Sequence, residues 1–181
     1  TFRIRYLMGA IGRETAYHVV INKDETGATL KHNFKIENDS GEDFDNTKFV
    51  LAAGQSFDRN VENGAKMKVL VKAYDSIKMK KEYVYDVGRT ESPILDAPVR
   101  MFYVLPNKQE AGLGAQPLDY GKVRIYQEDG KGGTAFIGED WGKFTAVGDD
   151  MRLFIGVAQD IKIERKLMRN DKKNIRGNVV H

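Results

Sequence analysis

The sequence predicts an all-β fold, an antiparallel β-sandwich organised as one domain or two small β lobes, with few or no long helices. Three observations predict it. Apolar and polar residues alternate with a period of two along most of the chain. Polar turn clusters punctuate that alternation at short spacing, the pattern of an antiparallel meander. Finally, 18 glycines and 4 prolines interrupt every stretch that could continue as a long helix.

The elements follow in order. Phe2, Ile4, Tyr6 and Met8 alternate with Arg3, Arg5 and Leu7, which predicts a first strand with one basic face. Tyr17 to Ile21 reads as a second, more uniformly apolar strand, closed by a turn over Asn22-Lys23-Asp24-Glu25-Thr26-Gly27. Next, Ala28, Leu30, His32, Phe34 and Ile36 share one face, and Thr29, Lys31, Asn33, Lys35 and Glu37 the other. The turn Asn38-Asp39-Ser40-Gly41-Glu42-Asp43 leads into a strand from Phe44 to Ala53, followed by an irregular polar stretch from Gly54 to Ala65. Lys66–Tyr74 and Lys80–Val87 read as a lysine-rich hairpin around Asp75-Ser76-Ile77-Lys78, with the lysines suited to edge strands.

Residues 88–98 read as a connector. Strands are then predicted over Val99–Leu105, Lys122–Gln127, Thr134–Ile137, Met151–Ile155 and Asp160–Glu164, with a glycine-rich loop from Gly112 to Gly121. The division is a β-sandwich domain over 1–166, containing an insertion or hairpin over 58–95, and a polar basic tail over 167–181 that is either a short helix or disordered.

Bulk properties narrow the function classes. A chain of 181 residues buries roughly 70% of the surface its unfolded form exposes, so it needs no covalent staple. Cysteine is absent, which removes disulfides, thiolate nucleophiles and cysteine-ligated zinc. The net charge of +3 is small and the lysines are dispersed, so nucleic acid is not expected as a partner. No apolar run approaches the ~20 residues of a membrane span, so no membrane insertion is expected. The chain begins at Thr1 with no signal-peptide pattern and reads as a piece of a longer protein.

The acidic pairs Glu128/Asp129, Glu139/Asp140 and Asp149/Asp150 are neighbours on strands or turns, so neither member of a pair faces the other. Glu128 with Glu139 across a hairpin is the one carboxylate dyad left open, at the 5–10 Å a glycosidase requires. Glu128 to Thr134 has glycines but neither the ligand spacing of a calcium loop nor that of a phosphate loop, and reads as a hairpin loop. His18 and His32 lie on neighbouring strands and could approach each other, with His32 expected as a hydrogen-bonded core residue. Trp141, Phe144, Tyr126 and Phe136 read either as core or as a ligand-stacking platform. The candidate ligand surface is accordingly Tyr126, Glu128, Glu139, Asp140 and Trp141, with no catalytic residue, no metal ligand and no cofactor expected.

Several segments carry a family resemblance. They are Tyr17-His18-Val19-Val20-Ile21 and Glu37-Asn38-Asp39-Ser40-Gly41-Glu42-Asp43-Phe44, then Gly121 to Asp129, Phe136-Ile137-Gly138-Glu139-Asp140, and Leu153 to Arg165. Together they resemble the β-rich C-terminal domain of unknown function of the bacterial mucoidy-inhibitor-A-like proteins, over most of residues 1–166. Glu14 stands where that family places an aromatic residue. The resemblance implies a domain that follows a coiled coil in an envelope-associated bacterial protein, which favours an extracytoplasmic setting over a cytoplasmic one. It transfers no catalytic residue. The expected function is a non-catalytic interaction or scaffold module, with a protein or a neighbouring domain of its own parent chain as partner. The alternative is a carbohydrate-binding module or a hydrolase acting on surface polysaccharide.

Overall fold

The computed structural model describes residues 8–50, 56–86 and 98–163, together with the backbone of two short strands, Lys173–Ile175 and Asn178–Val180. The strand expected over 2–8 and the connector expected over 88–98 lie, but for their last residues, outside this range. The described chain is all-β. Its strands are β1 (Ile11–Ile21), β2 (Gly27–Asn38), β3 (Phe44–Val50), β4 (Ser56–Val61), β5 (Lys66–Lys78), β6 (Lys80–Val84), β7 (Arg100–Pro106), β8 (Gly121–Glu128), β9 (Thr134–Gly142), β10 (Asp150–Val157), β11 (Lys173–Ile175) and β12 (Asn178–Val180). Among the described residues the only helical turn is a single 3₁₀ turn, Gln109–Ala111, so no helix there is long and apolar enough to cross a membrane.

Two sheets face each other across one core. The larger has five strands in the order β5-β2-β1-β8-β9, and the smaller three in the order β10-β7-β6. The alternation read from the sequence decides which side chains meet. Tyr17, Val19 and Ile21 of β1, Leu30 of β2, and Val123 and Ile125 of β8 point inward from the large sheet. Tyr103 and Leu105 of β7, with Met151 and Leu153 of β10, meet them from the small one. Fully burying each of these apolar side chains contributes about 1.5–3 kcal/mol, and this shared interior holds the layers together. A satellite cluster of Phe34, Ile36 and Val69 lies at the far end of β2 and β5. The β3–β4 hairpin covers it through Phe57, which stacks on Phe49 at 5.3 Å.

Most pairings are antiparallel, as expected, but β1 and β8 run parallel, from Ala16 opposite Lys122 to Ile21 opposite Gln127. Other expectations need correcting. The stretch from Gly54 to Ala65 contains β4, whose polar residues conceal a pairing with β3. Lys66–Tyr74 and Lys80–Val87 do not form a hairpin: β5 pairs with β2 and β6 with β7. Asp75 and Ser76 lie at a bulge within β5, Ile77 is buried in the core, and the chain crosses between sheets at Met79. Both strands are nevertheless edge strands of their sheets, which suits their lysines. No strand forms over residues 160–163, and the described part of the tail, 173–175 and 178–180, is the β11–β12 pair.

Two asparagines tie the loops to this frame. Asn38, fully buried, donates from Nδ2 to the carbonyls of Glu42 (2.8 Å) and Val61 (3.0 Å) and accepts from the Ser40 hydroxyl (2.6 Å). Asn107 donates to the carbonyls of Gln116, Thr145 and Ala146, each at 3.1 Å, and accepts from the Gly114 N–H at 2.8 Å. It thereby binds the glycine-rich loop to the segment between β9 and β10. In that loop Gly112 adopts φ +88°, and a Cβ there would collide with the Ser76 carbonyl oxygen.

Candidate functional site

A hollow opens where β9, the last strand of the large sheet, passes β10, the first strand of the small one. Its volume is ≈ 700 Å³. The motif Arg-x-Phe occurs twice, at 100–102 and 152–154, and period-2 geometry places Arg and Phe of each copy on the same strand face. Antiparallel pairing of β7 with β10 sets Phe102 opposite Phe154, their rings 5.6 Å apart. The Arg100 guanidinium lies over both rings, 4.8 Å from Phe154 and 5.3 Å from Phe102, and Arg152 lies over Phe102 at 5.2 Å. This stack forms one wall. Trp141, Lys143, Phe144 and Thr145 form the other, and Asp149 and Asp150 also line the hollow.

Asp140 holds the two walls in place. Its Oδ2 accepts the Phe154 N–H at 2.7 Å, across from one sheet to the other, and its Oδ1 accepts the Trp141 N–H at 2.8 Å. Both carboxylate oxygens are thus engaged with backbone, and the residue works as a clasp. Trp141 is 45% exposed and Phe144 63% exposed. Tyr120, 59% exposed, stacks on Trp141 with centroids 5.2 Å apart and planes 5° from parallel. The aromatic residues of this region therefore face outward. Their reading as sandwich core fails, because Val123 and Ile125 take the inward positions of β8.

The structure divides the five residues of the candidate ligand surface among three places. Asp140 and Trp141 line the cleft. Tyr126 lies on the outer face of the large sheet, stacked on His18 at 4.4 Å and edge-on to Phe136 at 5.4 Å. Glu139 is on that same face, its Oε1 bound by the Lys122 ammonium at 3.0 Å. Glu128 ends β8 and is exposed beside the 129–133 loop. The carboxylate dyad is thereby excluded: Glu139 pairs with Arg124 and Glu128 with Thr134, about 13 Å apart along the strand. The loop itself is the expected hairpin connection, with Asp129 Oδ1 accepting the N–H groups of Lys131 (2.7 Å) and Gly133 (2.9 Å). These two bonds hold its carboxyl below the ordinary aspartate range.

The histidines do not converge. His32 pairs with Tyr17 and His18 with Lys31, so strand alternation sends them to opposite faces. His32 is in the core as expected, 2% exposed, between the rings of Tyr17 (4.8 Å) and Phe34 (5.0 Å). The expected hydrogen bond is missing: neither ring nitrogen has a partner among the described residues. Burial pushes its pKa down to about 4. Among the described residues, no three His, Asp or Glu side chains gather closely enough to hold a metal ion.

Sequence reading missed Arg100, Phe102, Tyr120, Arg152 and Phe154. The repeated Arg-x-Phe was the available signal, but its meaning depends on a register between strands some 50 residues apart. Fold and cleft define a β-sandwich with an aromatic, guanidinium-lined groove at a sheet edge. No family model matches the chain, nor does any curated protein or solved structure.

Proposed function

We propose that the chain is a non-catalytic β-sandwich interaction module that takes a segment of a protein partner into the β9–β10 cleft. One observation carries the reading. The cleft presents Trp141, Phe144, Phe102, Phe154, Arg100 and Arg152 together, the residue types that dominate interface energetics. Its central carboxylate, Asp140, is committed to backbone N–H groups. The resemblance to the mucoidy-inhibitor-A-like domain supports an envelope-associated bacterial setting, with an extracytoplasmic location and a partner in the same assembly or parent chain.

A second reading, carbohydrate binding, is favoured by the parallel Tyr120–Trp141 pair, since flat exposed aromatic surface is suited to stacking against sugar rings. One experiment separates them. Wild type and the Trp141→Ala/Phe144→Ala variant are panned against a displayed random-peptide library and applied to a glycan array. Peptide enrichment by wild type that drops at least about tenfold in the variant supports the protein-partner reading. Glycan binding with the same loss supports the second. Wild type that engages neither, or a variant that binds as well as wild type, overturns the assignment to this cleft.

A further inference from the structure

The outer face of the five-stranded sheet carries a second hollow, of ≈ 210 Å³, separate from the cleft. Its construction follows from register. Ala16 sits in the middle of β1 with Asn33 of β2 on one side and Lys122 of β8 on the other. A methyl group among longer side chains leaves a depression spanning four strands, roughly 14 Å at the usual strand spacing.

Four cations rim it: Lys35 from β2, Lys68 from β5, and Lys122 and Arg124 from β8. Two carboxylates face them. Glu14 takes Lys35 at 2.9 Å, and Glu139 is shared by Lys122 (3.0 Å) and Arg124 (3.8 Å). Lys68 has no carboxylate partner among the described residues, so four positive charges meet two negative ones and an excess of two remains. His18 lines the same hollow with Tyr126 stacked on it. Its pKa is lowered by partial burial and by Lys68, Lys31 and Arg124, as a locally positive potential requires. Asn33, nearly buried, donates from Nδ2 to the Lys31 carbonyl at 3.1 Å.

We infer that this hollow binds a small ligand carrying an oxyanion, phosphate or carboxylate, on a ring that rests against the His18–Tyr126 pair. Charge complementarity selects the occupant: an anion gains two uncompensated cations, whereas a neutral or cationic ligand gains none. The site is small enough for one such group with its ring, which fits a small molecule better than an extended polyanion. Lys68 is the side chain the anion reaches without displacing an existing ion pair.

Amide and imidazole NMR shifts of the full chain, titrated in parallel with inorganic phosphate, glucuronate and a short oligothymidylate, test the inference. Saturable shifts at His18, Lys68 and Lys122 with phosphate or glucuronate are expected, weakened at least about tenfold in Lys68→Glu. The order of the two anions tells a phosphate ester from a carboxylate as the natural group. Arg152→Ala, in the cleft, leaves these shifts unchanged, so the two sites stand or fall separately. Shifts that fail to saturate, that persist in Lys68→Glu, or that arise only with the oligothymidylate overturn the assignment.

Discussion

At the residue scale, His32 is the most exposed to a change of conditions. An imidazole between Tyr17 and Phe34 with no hydrogen-bond partner must stay neutral to stay buried. Its folded pKa is about 4, against about 6.5 in the unfolded chain. Above the unfolded value both states are neutral and the full stability is present. Between the two values only the unfolded chain takes up the proton, so stability falls with pH across that window and stops falling, for this group, below the lower one. The loss amounts to about 3 kcal/mol. Urea midpoints at neutral pH and at about pH 4.5 should therefore converge in His32→Phe, which keeps the stack and removes the titration. A wild type and variant with equal acid sensitivity would count against this account. The inward position of His32 was legible in the alternation from Ala28 to Ile36. Its missing hydrogen bond was not, because that depends on Tyr17 and Phe34 filling the space around the ring. Asn38 was likewise legible only as a turn residue, and Asn107 carried no signal in the sequence, although each satisfies several loop groups. Asn107→Ala removes the acceptor of the buried Gly114 N–H together with the donor to three loop carbonyls, and should cost on the order of 2–3 kcal/mol by chemical denaturation.

At the element scale, the clasp between β9 and β10 links stability to site geometry. Asp140→Ala removes the acceptor for the Phe154 N–H and should widen the cleft. Amide exchange at Phe154 is expected to accelerate by about tenfold or more while the β1–β2 amides keep their protection. Unchanged exchange at Phe154 would mean the strand edge is held without the carboxylate. A second link crosses the sandwich. Glu25, in the β1–β2 turn, receives the Tyr103 hydroxyl at 2.5 Å and the Lys81 ammonium at 3.0 Å. Partial burial pushes the Glu25 carboxyl up, but these two donors more than offset it and hold it low. The turn itself was evident in Asn22 to Gly27, whereas its attachment to the opposite sheet depends on tertiary packing. The same limit explains the misplaced hairpin. Asp75-Ser76 looks like turn chemistry, but Ile77 is needed in the core, and the polar pair is absorbed as a bulge.

At the scale of the whole molecule, period-2 patterning was enough to give the fold class, because each sheet has one wet and one dry face. It could not give the layer assignment, since strands of either sheet present the same alternation. The site suffered from the same ambiguity: residues close in sequence, Tyr126 to Trp141, were scattered over two surfaces and a loop, while the Arg-x-Phe pairs came together from distant strands. The parallel contact of β1 with β8 was the least visible of all. Gly121 enters it so tightly that a Cβ would stand 2.6 Å from the Thr15 carbonyl oxygen. Gly121→Val should therefore lower the thermal midpoint by roughly 10 °C or more, and an unshifted midpoint would show that the strands separate there without cost.

That contact also dictates when the molecule can become itself. A ribosome must deliver about a hundred further residues after β1 before the strand that seals its second edge emerges. Until then β1 offers a row of unanswered amides to any passing extended chain. Non-local closure of this kind makes for slow acquisition of structure, and a product terminated short of β8 should be found with chaperones or in aggregates rather than as a smaller working version.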